Sequence, residues 1–162
     1  MKHCMPLVKS WMLLAALVPS LALANGTAKG TIVYKDRTVT VKHAYLVKGP
    51  DAMTKQPARK IILSVADQGK AIAKCQRMMC LDGDMDDGLS IALDIGPRFG
   101  YWMVLNGQKI QYSGTAELKT ITFTQEDAKR LAGKVVFDAS KAGGPKVDIE
   151  FDAPLVKEVG AL

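Results

Sequence analysis

Four short stretches hold residues whose types and spacing can do chemistry. The first is Cys75-Gln76-Arg77-Met78-Met79-Cys80. In an oxidising compartment an even pair of cysteines points to a disulfide. So short a loop adds roughly 2 kcal/mol by the loop-closure model, and its main effect is to fix how the chain leaves the segment. The alternatives are a redox pair and a copper site in which Met78 and Met79 supply soft thioethers. A thioredoxin-like centre has two residues between its cysteines, and four stand here. The second stretch is Asp82-Gly83-Asp84-Met85-Asp86-Asp87-Gly88. Asp82, Asp84 and Asp86 match the first, third and fifth ligand positions of a calcium loop. Asp87 then stands where glycine makes the turn, and Leu93 where a bidentate glutamate belongs. The alternative to calcium is an exposed acidic turn ahead of a strand over Leu89–Ile95.

His43 is the third candidate, and it is the single histidine beyond the N-terminal region. Its strand phase sets it with Val39, Val41, Tyr45 and Val47, as a core-facing histidine with one bonded ring nitrogen. A catalytic base needs a nucleophile and an orienting group, and no serine or cysteine motif supplies them, so no catalytic residue is assigned. The fourth stretch is Gly96-Pro97-Arg98-Phe99-Gly100-Tyr101-Trp102. Arg98, Phe99, Tyr101 and Trp102 form a candidate partner-binding cluster, since arginine and aromatics dominate binding hot spots. Adjacent Tyr101 and Trp102 point to opposite faces of a strand, so the alternative sends alternate residues, Trp102 with Val104, into the core. The loop Lys48–Ala58, with Gly49-Pro50 and Gln56-Pro57, is a second contact surface.

The elements that position these residues are mostly strands. Val147-Asp148-Ile149-Glu150-Phe151-Asp152 alternates apolar and acidic residues, and Ile91, Leu93 and Ile95 alternate likewise. Asn106-Gly107 between Trp102–Leu105 and Gln108–Tyr112 predicts a hairpin with a type I′ turn. Lys35-Asp36 predicts another tight turn, and Ala142-Gly143-Gly144-Pro145 parts Val135–Ala139 from the last strand. Gly69 to Met79 predicts a short helix leading into the disulfide. Thr124-Gln125-Glu126-Asp127 approximates a capping box and predicts a turn or two of helix ending before Gly133. The sum is an all-β domain with minor α content: an antiparallel β-sandwich or partly closed barrel of about eight or nine strands, with one or two short helices.

Length and charge bound the function. The chain has 162 residues. Lys2 and Lys9, the apolar run Trp11 to Val18 and the Ala22-Leu23-Ala24 site make residues 1–24 an export signal cleaved before Asn25. Asn25 rather than cysteine follows the cut, so no lipid anchor is expected. Residues 25–162 then make one β-rich domain, periplasmic or secreted. No apolar run after Ala24 approaches the roughly 20 residues that cross a bilayer. Residues 25–80 carry eleven Lys/Arg against three Asp, a net +8, and residues 81–162 carry nine against thirteen, a net −4. A basic first half can attract an anionic partner, although interleaved strands would average the asymmetry out, which the singly spread lysines favour. Export and the lack of a basic-aromatic motif exclude nucleic acid as partner.

Lys29-Gly30-Thr31, Val41-Lys42-His43-Ala44-Tyr45, Ile61-Ile62-Leu63-Ser64 and Val147-Asp148-Ile149-Glu150-Phe151-Asp152-Ala153-Pro154 together resemble a group of small, uncharacterised secreted or periplasmic β-rich proteins of Gram-negative bacteria. The resemblance implies the compartment and the β-rich fold, and it brings no activity, cofactor or site. The resulting expectation is a non-catalytic periplasmic binding module that works by protein–protein contact with another exported protein, in the manner of an inhibitor or immunity protein. A binder of calcium or a small anionic ligand is the second reading, and a hydrolase with an unfamiliar site the third.

Overall fold

The alternating stretches fold into nine strands. The computed structural model describes residues 26–160 except 52, 84 and 95. The export signal over 1–24, Asp84 of the acidic stretch and Ile95 lie outside the described residues. The strands are β1 (Gly26–Tyr34), β2 (Arg37–Pro50), β3 (Pro57–Ser64), β4 (Gly88–Ala92), β5 (Arg98–Leu105), β6 (Ile110–Glu117), β7 (Ile121–Glu126), β8 (Arg130–Asp138) and β9 (Lys146–Glu158). Two short helices, α1 (Gly69–Lys74) and α2 (Cys80–Gly83), lie between β3 and β4, and 3-10 turns at Leu118–Thr120 and Ser140–Ala142 precede β7 and β9.

All nine strands belong to one sheet in the order β6-β5-β4-β3-β2-β1-β9-β8-β7. Pairing is antiparallel except where the end of β9 runs parallel to β2, with Leu46 beside Leu155 and Lys48 beside Glu158. The architecture is therefore the partly closed barrel, a single curled sheet, and not a two-sheet sandwich. β1 starts opposite Ala44 of β2, and beyond that point β9 takes its place. Gly26 sits in the fork. A Cβ there would lie 2.3 Å from the carbonyl oxygens of both Ala44 and Asp152, so the convergence of three strands requires glycine.

The curl is filled by side chains. β5 and β8 lie near opposite ends of the strand order, yet Tyr101 meets Phe137 at 4.9 Å between ring centroids and Phe99 meets it at 5.9 Å. Tyr112 of β6 stacks on Tyr101, meets Tyr34 of β1 at 5.9 Å and donates its hydroxyl proton to the Ala142 carbonyl. A second apolar cluster lies on the outer face, where Tyr45, Val47, Ile62 and Val104 are covered by Ile72, Met78 and Met85 of the segment between β3 and β4.

Several expectations are corrected. Val39 and Val41 pack with the interior cluster but Tyr45 and Val47 with the outer one, while Ala44 and Leu46 face in. The side-chain phase of β2 thus changes across Lys42 and His43, beside the one-residue slip of β1 between Thr27 and Gly30. Thr124–Asp127 is no helix start. It ends β7, and Asp127 Oδ1 accepts the backbone N–H groups of Lys129 and Arg130 at 2.7 and 2.9 Å. That is an Asx-type turn, in which the acid caps a hairpin instead of a helix. The Asn106-Gly107 turn has the expected positive φ at both residues (57° and 59°), but the loop runs over 106–109, because Gln108 also turns left-handed and Leu105 pairs with Ile110. The Lys48–Ala58 loop shortens to 51–56, since β2 reaches Pro50 and β3 begins at Pro57. Asp51 Oδ1 folds that loop by accepting from the Met53 and Thr54 amides.

Phe137→Ala removes the ring that both Phe99 and Tyr101 pack on, and is expected to lower the unfolding free energy by about 3–5 kcal/mol in a denaturant titration. Val136→Ala, at the exposed neighbouring position, is expected to change it by less than about 0.5 kcal/mol.

Candidate functional site

The four chemical stretches have different fates. Cys75 and Cys80 form a disulfide with Cα atoms 5.9 Å apart. Met78 is buried against the outer cluster while Met79 is exposed, so the thioethers do not converge as copper ligands would. Asp82 is committed to the fold. Lys60, buried in the middle of β3, places its ammonium 2.7 Å from Asp82 Oδ2 and donates to the Met78 carbonyl at 3.1 Å. The Ser90 hydroxyl donates to the other Asp82 oxygen at 2.6 Å. Asp86 accepts the Asp87 amide, and Asp87 accepts the Gly107 amide at 2.9 Å. Among the described residues no group of three His, Cys, Asp or Glu side chains is gathered for a metal ion.

His43 is half-buried on the outer face and not in the core. Its ring stacks beside Tyr45 at 6.4 Å. Burial and the 2.6 Å hydrogen bond to Asp67 push the Tyr45 hydroxyl up to about 12, and that same bond holds the Asp67 carboxyl below its ordinary value. Ser64 stands opposite His43 in the β2–β3 register, a juxtaposition that suits a nucleophile and base. Ser64 is wholly buried, however, and gives its hydroxyl proton to the Ala66 carbonyl at 2.7 Å, so it offers a substrate no oxygen.

The Arg98–Trp102 cluster is divided by the strand it lies on. Phe99 and Tyr101 are buried in the interior, Trp102 packs half-buried on the outer cluster, and Arg98 alone is exposed. Trp102 carries a buried indole N–H with no partner among the described residues. The opposite facing of Tyr101 and Trp102 is as the alternation requires.

Folding builds a different surface at the mouth of the curled sheet. Arg59 of β3 anchors it. Its Nε and Nη2 donate to both oxygens of Asp94 at 2.6 and 2.8 Å, and its Nη1 lies 2.8 Å from Glu126 of β7. The paired guanidinium holds the Asp94 carboxyl below its ordinary value, and the hydrogen bonds to Asp94 raise the guanidinium despite burial. On one side of this triad lies a depression of about 380 Å³ with Leu93, Phe99, Ile121 and Phe123 in its wall and Arg98, Leu118 and Lys119 at its rim. On the other lies one of about 460 Å³ bordered by Lys48, Pro50, Lys55 and Pro57. The two share Arg59 and Asp94. Together their linings bring five cations (Lys48, Lys55, Arg59, Arg98 and Lys119) against two carboxylates, Asp94 and Glu126, with Glu117 pairing Lys119 at 2.6 Å from outside. Lys48 and Lys55 belong to the Lys48–Ala58 contact loop and Arg98 to the aromatic cluster that the sequence offers, while Arg59 and Lys119 stand in no motif. A further signal is the basic first half, whose strands β1, β2 and β3 stand side by side rather than interleaving with the second half.

Asp82→Ala leaves the Lys60 ammonium buried against a single carbonyl and is expected to cost on the order of 3 kcal/mol in unfolding free energy. Wild-type thermal melts with saturating calcium or with excess chelator are expected to coincide, because a cation at Asp82 must displace the ammonium already there. A calcium-dependent rise in Tm overturns this. Acid unfolding tests the Arg59 triad. A carboxyl depressed in the folded state contributes stability that is full above its unfolded value and is lost as pH falls through the folded one. Followed by circular dichroism from pH 5 downward, the wild type is expected to lose stability below about pH 4, and Arg59→Met to lose less over the same interval.

Among the described residues, no helix is long and apolar enough to cross a membrane. No protein-family model, curated protein or solved structure matches this chain, so its functional reading rests on the chemistry of the mouth.

Proposed function

We propose that this chain is an exported, non-catalytic binding module that acts by protein–protein contact, and that the contact is made at the mouth of the curled sheet, which takes in Arg98 and Phe99 but not Tyr101 and Trp102. The observation that carries the reading is the convergence of Lys48, Lys55, Arg59, Arg98 and Lys119 around an apolar wall. Arg59 is held rigid by two carboxylates, so the groove is preorganised, and binding there orders few side chains. A net positive rim with apolar side chains beneath it suits an acidic segment that carries an apolar residue, the charge steering the encounter and the apolar contact holding it. The N-terminal signal pattern and the disulfide support a periplasmic or secreted setting, in which an inhibitor- or immunity-like role fits a small rigid domain.

A second reading is favoured by the apolar lining of the depression, Leu93, Phe99, Ile121 and Phe123: a small anionic amphiphile, its head on Arg98 and Lys119 and its tail on the apolar wall.

The experiment is capture from a periplasmic extract with the tagged protein and two variants. Arg98→Glu/Lys119→Glu is expected to lose a near-stoichiometric partner by tenfold or more. Lys134→Glu, on β8 away from the groove, is expected to keep it. Wild-type binding should weaken as salt rises. A partner retained by the double variant overturns the mouth as the contact surface. No protein partner, with a small molecule seen on the wild type alone by native mass spectrometry, selects the second reading.

A further inference from the structure

We infer that a second copy of this chain docks along β6, extending the sheet across a two-fold axis at Ser113. Among the described residues β6 ends the strand order and pairs only with β5. Its register with β5 runs from Arg98 opposite Glu117 to Leu105 opposite Ile110 without a slip. An exposed edge of this kind is usually blunted by a bulge, a proline or a lysine. β6 itself, with the sequence IQYSGTAE, has none of them; Lys109 borders its first residue from the 106–109 loop, and Arg98 donates to the Thr115 carbonyl at 3.2 Å. The other edge is blunted. β7 slips between Phe123 and Gln125 and ends in Glu126, which is drawn to Arg59.

The occupant follows from the sequence of the edge itself. Two copies that keep the same faces inside and outside pair residues of equal parity, because side chains alternate along a strand. With the axis at Ser113, Glu117 stands opposite Lys109 of the second copy and Thr115 opposite Gln111. On the inner face Tyr112 stands opposite Gly114 and Ile110 opposite Ala116. Every pair is complementary, in charge, in polarity or in size, and opposite-charge and aromatic pairs are the ones that stabilise neighbouring strands. Shifting the axis by one residue sets Tyr112 or Gly114 against its own copy and removes the charge pair. Lys109 is exposed and makes no ion pair among the described residues. Glu117 reaches Lys119, whose side chain is 81% exposed, and an exposed pair of this kind exchanges partners at little cost. The two-fold presents the Glu117–Lys109 pair twice, so reversing one charge places two like-charge contacts in the interface.

Sedimentation velocity of the purified protein over a concentration series tests the pairing. The wild type is expected to sediment as a dimer that dissociates on dilution. Lys109→Glu and Glu117→Lys are each expected to raise the dissociation constant by about tenfold, and the double variant Lys109→Glu/Glu117→Lys to restore the wild-type value. A wild type that stays monomeric at its highest soluble concentration overturns the proposal. So does a dimer that neither single variant weakens, or a double variant no better than the singles. Circular dichroism confirms that these exposed substitutions leave the fold intact. The test reads association of the chain with itself, and its failure leaves the reading of the mouth untouched.

Discussion

Backbone hydrogen bonding stops at β6 on one side of the sheet and at β7 on the other, so the curl has to be held by side chains. A closed barrel maintains its curvature through an unbroken ladder of strands. Here the corresponding contact is an aromatic seam, with Phe137 between Phe99 and Tyr101, and Tyr112 between Tyr34 and Tyr101. Each ring buries a large apolar area, and the pairs add about 0.5–1.5 kcal/mol apiece beyond that area. The seam also decides where binding can occur. Because side chains fill the interior, contacts with other molecules fall to the mouth, the outer face and the strand edges.

The outer face is organised around one awkward residue. β3 is apolar from Ile61 to Leu63, yet Lys60 is buried beside them, and a buried ammonium is tolerated only when paired and hydrogen-bonded. Asp82 and the Met78 carbonyl supply the partners, and both lie in or beside the span closed by the Cys75–Cys80 disulfide. The disulfide, the acidic run and the buried lysine are thus parts of one device that clamps the helical segment to the sheet. Asp82, one of the three carboxylates that matched a calcium loop, is the one this device uses.

That outcome marks where sequence reasoning works for this chain. Strands with simple alternation, such as Val147–Asp152, were legible because one face is buried and the other solvated. The Lys35-Asp36 turn and the cysteine pair were legible because local chemistry decides them. β2 was misread because its phase changes where β1 slips, a tertiary effect with no mark in the residues of β2. Thr124–Asp127 was misread because Asp127 caps a hairpin as readily as a helix, and Phe123, packed edge-on against Phe151, settles the choice in favour of a strand. The Arg98–Trp102 stretch has the right residue types for a hot spot, but strand alternation sends two of its rings inward. The Lys48–Ala58 loop and Arg98 were legible one by one, but not their convergence with Arg59 and Lys119, because curvature assembles the mouth from β2, β3, the β4–β5 connection and the turn before β7.

The same curvature gives the charge asymmetry of the sequence a structural meaning. Had the two halves interleaved strand by strand, cations and carboxylates would have alternated across the surface. Instead β1, β2 and β3 are neighbours, and the second half flanks them on both sides. Lys48 meets the second half beside Glu158 of β9. Arg59 takes Asp94 just beyond β4 and, across the curl, Glu126 of β7. Arg59 consequently acts as a strut that joins β3 to β7 while contributing little net field of its own. The excess of cations at the mouth lies around it, and their spacing is set by a guanidinium already paired with two carboxylates. An anionic partner can engage Arg98 without breaking the Arg59 ion pairs that shape the mouth, whereas at Lys119 it exchanges with Glu117.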